Sequence, residues 1–175
     1  MFHFSEQAGI ERFEPRPVRA PSQRPPGRAW LNGPLVWAIS EWHQPMYLFP
    51  RDCPRVLLWP TAGTTEEDRR TWWGDRTCRM IAHIEWAWLR ALNAGRLFRY
   101  ELPTASFEDL DDAGMWVSRE GVEPIGVEAI ADLPGALRDC DVELRVVRTL
   151  RPLLPVWSTT LHASGIRLRN AVDLS

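Results

Sequence analysis

Apolar runs in this chain are short, and prolines and glycines stop them. Leu35 to Ile39 follows Gly33-Pro34, and Val56 to Trp59 follows the proline turn Pro50 to Arg55. Runs bounded in this way predict many short strands rather than a few long helices. Strands are expected at the N-terminus and near 35–39, 56–59, 79–85, 97–101, 114–118, 127–130 and 142–147. Helical pieces are expected at 6–13, in part of 40–49, from Thr64 or Thr65 to Trp73, at 86–92 and at 133–140, with 157–170 partly helical. Asn93 and Gly95 stop the piece at 86–92. Interleaved short strands and helices give a single α+β domain over residues 1–175, built on a mixed, largely antiparallel, split sheet with short helices.

Composition removes whole classes of chemistry. All 21 basic residues are arginine. Without lysine the chain has no Walker A phosphate loop, no pyridoxal Schiff base and no Ser-Lys dyad. A formal net charge of −2 supplies no global field toward nucleic acid or anionic membrane, although a local basic patch is compatible with it. No apolar run approaches the roughly 20 residues that span a bilayer. The first residues lack the basic and apolar regions of a signal peptide, so a cytoplasmic location is expected. Cys53, Cys78 and Cys140 are odd in number and far apart, which argues against both a disulfide framework and a zinc knuckle.

The N-terminal stretch carries the most suggestive chemistry. Met1-Phe2-His3-Phe4-Ser5-Glu6 read as a strand puts His3 and Ser5 on one face and the two phenylalanines on the other. An imidazole can bond a ribose hydroxyl, and a serine hydroxyl can pair with a carboxamide. Downstream, Val36-Trp37-Ala38 is followed by Tyr47, and two aromatic faces can sandwich a flat ring. Glu120, ahead of Val122 and Pro124, is the best-placed carboxylate to stabilise developing positive charge, with Glu123 and Glu128 as rivals. Taken singly, His3 is equally a polar residue at a strand end, Trp37 and Tyr47 are core aromatics, and Glu120 is a solvated turn residue.

Together, His3-Phe4-Ser5, Trp37-Ala38 and Tyr47 resemble the ADP-ribosyltransferase fold, in the class of diphtheria toxin and the poly-ADP-ribose polymerases. That class has His-x-Ser/Thr on its first strand, a Tyr-Phe-Ala strand, a second tyrosine about one helix later and a glutamate near a later strand. Trp37 departs from the usual tyrosine. The resemblance implies NAD as the substrate, with ADP-ribose passed to an unknown protein or nucleic-acid acceptor. It implies His3, Ser5, Trp37 and Tyr47 as the NAD-binding residues and Glu120, with His3, as the catalytic ones. It requires no metal. The chain also resembles an uncharacterised bacterial domain family with a His-Phe-Ser-Glu start and the stretches Phe49-Pro-Arg-Asp-Cys-Pro-Arg55 and Arg99-Tyr-Glu-Leu-Pro103. That resemblance covers nearly the whole chain and implies no activity.

Other groups stay open between function and structure. Arg51 and Arg55 bracket a proline turn and suit a pyrophosphate, Arg51 being the one assigned to the ligand; solvated or ion-paired arginines are the plainer reading. Arg167, Arg169 and Asn170 allow the same two readings. Arginines and ten tryptophans together can build a stacking groove for single-stranded nucleic acid, so a non-catalytic nucleotide- or RNA-binding module is the alternative function. His83 and Glu85 share a strand face but lack a third metal ligand. Cys53 has no identifiable histidine partner. Asp109, Asp111 and Asp112 form an acidic loop without EF-hand spacing.

Overall fold

The computed structural model describes residues 1–19, 21 and 23–174; Ser22, in the proline- and arginine-rich stretch 21–27, lies outside the described residues. In chain order the elements are β1 (Phe2–Ser5), β2 (Val36–Ile39), β3 (Arg55–Trp59), α1 (Glu66–Asp68), β4 (Met80–Glu85), α2 (Trp86–Ala94), β5 (Leu97–Glu101), β6 (Glu108–Asp109), β7 (Met115–Ser118), β8 (Gly126–Ile130), α3 (Leu133–Asp139), β9 (Val142–Val147) and β10 (His162–Ile166), with several 3-10 turns between them. The fold is α+β, and its strands form two separate sheets. The described residues group into two compact units, Met1–Gln44 with Leu97–Ala129, and Pro45–Arg96 with Ile130–Ser175. None of the described helices is long and apolar enough to cross a membrane.

The first unit holds a six-stranded sheet in the order β6-β7-β2-β1-β5-β8. β1 lies at its centre, antiparallel to β2 through Phe2 opposite Ile39, and to β5 through His3 opposite Tyr100 and Ser5 opposite Phe98. β2 in turn pairs antiparallel with β7, Ala38 facing Trp116 and Trp37 facing Val117. Directly opposed residues share a face, and alternate residues switch faces. One face therefore carries His3, Ser5, Val36, Ala38, Tyr100 and Trp116. Phe13, Val122 and Leu102 join Val36, Ala38 and Tyr100 in a buried cluster there. The other face carries Phe2, Phe4, Trp37, Ile39 and Val117, and Trp37 packs on a cluster of Leu31, Leu35, Leu110 and Val117.

Residues 6–13 do not form the expected helix. Gly9 takes a left-handed φ of +67°, and the Tyr100 hydroxyl intercepts the local backbone. It donates to the Gln7 carbonyl at 2.9 Å and accepts from the Ile10 amide at 3.1 Å. The segment is thereby stretched over the sheet, and Phe13 bridges to Val122. Part of the acidic stretch is strand, since Glu108 and Asp109 pair with Val117 and Trp116.

The second unit holds the sheet β10-β3-β4-β9, antiparallel except for the parallel pair β4–β9. Every residue of β3 and β4 is buried, as expected of inner strands covered on both faces. Thr65 caps α1, its hydroxyl accepting from the Asp68 amide at 3.3 Å, and Glu66, Glu67 and Asp68 supply the acidic first turn. A π-helical turn, Arg69–Trp73, continues it and stops at Gly74. Asp132 caps α3, which buries Leu133 and Leu137. The expected partial helix at 157–170 is instead the end of a 3-10 turn, the whole of β10 and the 3-10 turn Leu168–Asn170. A Cβ on Gly165 would come within 2.8 Å of the Trp157 ring and 2.7 Å of Leu168, so a side chain there would displace the segments that cover β10.

Candidate functional site

β1 positions His3 by main-chain pairing on both sides, so its ring is aimed by the sheet rather than by a loop. Its Nδ1 lies 2.8 Å from the Trp37 carbonyl oxygen. A carbonyl only accepts, so Nδ1 carries the proton, and in the neutral ring Nε2 bears the lone pair. The Phe13 ring lies 4.6 Å from the imidazole, tilted by 50°, and stands edge-on to Tyr100 at 5.2 Å. Ser5 Oγ accepts from the Gln7 amide at 3.1 Å, which leaves its own proton available for donation. His3 and Ser5 thus share a face, as their spacing predicts.

Trp37 does not share it. The pairing of Phe2 with Ile39 sends the indole to the opposite face, where Arg24 lies over its ring at 5.7 Å. Its buried Nε1 has no acceptor among the described residues. A ring held by His3 therefore cannot stack on Trp37, whose contribution to the His3 site is its main-chain carbonyl. The residues that sequence reasoning passed over on the His3 face are Phe13, Tyr100 and Trp116. Alternation within 97–101 marks Tyr100 as inward; nothing local marks Phe13, because its contact depends on the bridge to Val122.

Glu120 sits just beyond β7 in an exposed turn. The buried Ser118 hydroxyl holds that turn, accepting from the Glu120 amide at 3.1 Å and lying 3.2 Å from the Glu120 carbonyl. The two rivals are already engaged. Glu123 pairs with Arg12 at 3.1 Å, and Glu128 pairs with Arg99. The Glu120 carboxylate makes no ion pair or hydrogen bond to the described residues, so of the three it is the one uncommitted. Val122, two residues on, reaches Phe13 and hence the rings beside His3.

Tyr47 and Arg51 belong to the second unit. Tyr47 ends the 3-10 turn Gln44–Tyr47, and its ring lies 5.8 Å from the Arg55 guanidinium. Arg51 is exposed at the proline turn, whereas Arg55 points inward and is 2% exposed. Arg55 Nε donates to the Met46 carbonyl at 2.7 Å and its Nη1 to the Cys53 carbonyl at 2.9 Å. Of the two arginines that bracket the turn, one is thus outward and one inward. Arg167 comes to the same turn, its Nε donating to the Arg51 carbonyl at 3.2 Å, and Asn170 Nδ2 donates to the Asp52 carbonyl at 2.7 Å.

His83 and Glu85 are both buried in β4. The His83 pKa is pushed down to about 4, first by burial and then by the Arg145 charge, so the ring is neutral at neutral pH. The Glu85 carboxylate accepts from the amides of Leu150 at 3.2 Å and Val172 at 3.0 Å and acts as an internal anchor. Cys53 is fully buried, and burial pushes its thiol up to about 11, which makes it a poor nucleophile. Among the described residues no group of three or more His, Cys, Asp or Glu is arranged to hold a metal ion.

One family model matches, over residues 2–171, and its description is a family of unknown function, DUF6886. No curated protein and no solved structure matches the chain.

Proposed function

We propose, for a chain that belongs to the DUF6886 family of unknown function, that the first unit is a nucleotide site of the ADP-ribosyltransferase kind, with NAD as substrate. The observation that carries this reading is the fixed tautomer of His3. With Nδ1 donating to the Trp37 carbonyl, Nε2 is the acceptor nitrogen of the neutral ring, the chemistry that a ribose hydroxyl calls for. Ser5 offers its proton to the carboxamide oxygen. The uncommitted Glu120 carboxylate would stabilise the cationic sugar as the bond from ribose C1′ to nicotinamide breaks. Nicotinamide leaves with the electron pair of that bond, and the acceptor nucleophile bonds to C1′ and releases its proton to solvent. Tyr47 and Arg51 belong to the second unit and have no part in this site. Trp37 is no part of the stack in this scheme.

Calorimetry with NAD should give binding that His3→Ala weakens about tenfold, the loss of one strong hydrogen bond of roughly 1.4 kcal/mol. Nicotinamide release should vanish in Glu120→Gln while NAD binding persists. Folded protein that binds no NAD removes the proposal.

A second reading, a non-catalytic nucleotide- or RNA-binding module, is favoured by one feature of the same unit. Between Pro15 and Ser40 the chain carries Arg16, Arg19, Arg24 and Arg28 and no acidic residue. Arg24 lies over Trp37, and Arg119 lies over the half-exposed Trp30 at 4.6 Å. Binding of a single-stranded RNA that weakens with salt and with Trp30→Ala, without nicotinamide release from NAD, would favour the module.

A further inference from the structure

Arg55 is a buried cation without an ion-pair partner among the described residues. Its guanidinium bonds the carbonyls of Met46 and Cys53 and lies over the rings of Phe49 at 5.1 Å and Tyr47 at 5.8 Å. No carboxylate of the described residues pairs with it. A desolvated charge of this kind is costly unless something of opposite sign stands near.

The fold brings a second arginine to the same turn. β10 pairs with β3 so that Ile166 lies opposite Arg55, which delivers Arg167 to the proline turn. Arg167 takes a left-handed φ of +57°, and its Nε is held by the Arg51 carbonyl. Its two Nη groups bond none of the described residues, and its side chain is 29% exposed. The available acid is Asp52, 65% exposed and 3.9 Å from Arg167 Nε, too long for a strong ion pair.

We propose that the turn Pro50–Pro54 and the segment Arg167–Asn170 form a phosphoryl-binding site. Arg167 presents the outer edge of its guanidinium to two phosphoryl oxygens, Arg51 closes over them from the exposed side of the turn, and Arg55 supplies charge from beneath. A guanidinium already oriented through Nε is preorganised for a bidentate contact. A dianion answers the charges of Arg55 and Arg167 once Asp52 is displaced; a monoanion such as a carboxylate leaves one of the two unmet. Burial lowers the Arg55 pKa most, and the Arg167 charge acts in the same direction. Asp52 competes for Arg167 and is displaced when the ligand binds. This inference rests on the second unit alone and needs no part of the transferase reading.

The test is calorimetry at constant ionic strength on the full chain, with inorganic phosphate, pyrophosphate and ADP as ligands. Pyrophosphate should bind, Arg167→Ala should weaken it tenfold or more, and Asp52→Asn should tighten it several-fold. ADP tighter than pyrophosphate assigns the site to nucleotides; equal affinities assign it to free diphosphate. Absence of pyrophosphate binding overturns the proposal, as does equal binding by Arg167→Ala with an unchanged melting temperature. Should Arg167→Ala fail to fold, Asp52→Asn decides, since unchanged or weaker binding there is equally fatal. Pyrophosphate binding without nicotinamide release from NAD removes the transferase reading and leaves this site. NAD turnover without pyrophosphate binding does the reverse.

Discussion

His83 ties the stability of the second unit to pH. Burial and Arg145 hold its pKa at about 4, while the bond to the Val56 backbone and the charge of Glu143 act in the opposite direction. In the unfolded chain the value returns to about 6.5. Between those limits the unfolded state binds more protons, so stability rises with pH. It is fully present above about pH 6.5 and lost as pH falls through about 4, a change of about 3 kcal/mol. Urea midpoints measured from pH 7.5 to 4.5 should fall on acidification, and His83→Gln should flatten that slope; equal slopes would sink the assignment. Gly114 is a second demanding position. It has φ +69°, and a Cβ there would overlap Ser40 Oγ and His43 Nδ1, which lie 2.9 Å apart. Gly114→Ala should cost about 2 kcal/mol or more in urea unfolding, and an unchanged midpoint would refute the clash. Residue chemistry was legible where type and spacing suffice, as at His3 and Ser5. The face of Trp37 was not, because parity between two strands is set by one pairing, Phe2 with Ile39, that no local pattern announces.

Elements defined by alternation or by flanking turns could be read directly. β5 and β9 span the stretches their alternation predicts, and α2 starts at Trp86 as expected. β10 was hidden because His-Ala-Ser-Gly-Ile lacks strand-forming side chains apart from its last residue; pairing along its whole length with β3, and the stacking of His162 on Trp59 at 4.2 Å, make the strand. Segment 6–13 departs from its pattern for the converse reason, since Ile10 and Phe13 have helical spacing but Tyr100 captures the backbone from a distant strand. Glu85 shows the same long-range control at the end of β4. Its carboxylate gathers the amides of Leu150 and Val172, and so fixes both ends of the segment that carries β10. Glu85→Ala leaves those amides without their acceptor and should destabilise the protein by about 3 kcal/mol. Hydrogen exchange should accelerate at Leu150 and Val172 well before it does in β5. Equal acceleration everywhere would show that Glu85 does not act locally.

The chain passes between its two units three times, after Gln44, Arg96 and Ala129, so neither unit is a continuous piece of sequence. Two sheets made from interleaved segments remain consistent with the one domain expected from length, and the unfolding transition decides between one cooperative domain and two. The cysteines supply the probe, because Cys53, Cys78 and Cys140 form no disulfide among the described residues and all lie in the second unit. Cys53 is fully buried with its thiol pushed up to about 11, so a thiol reagent at pH 8 should miss it in the native protein and reach it only on opening. Amide protection of His3 and Phe4 in β1 reports the first unit in the same urea series. With three covalent crossings, a strand lost from one unit pulls directly on the next segment of the other, and the two midpoints should coincide. Labelling of Cys53 at urea concentrations where β1 remains protected would separate the units and end the single-domain description. Coincidence at one midpoint, with a further shared fall below pH 6.5 as His83 protonates on unfolding, would tie both sheets to one equilibrium.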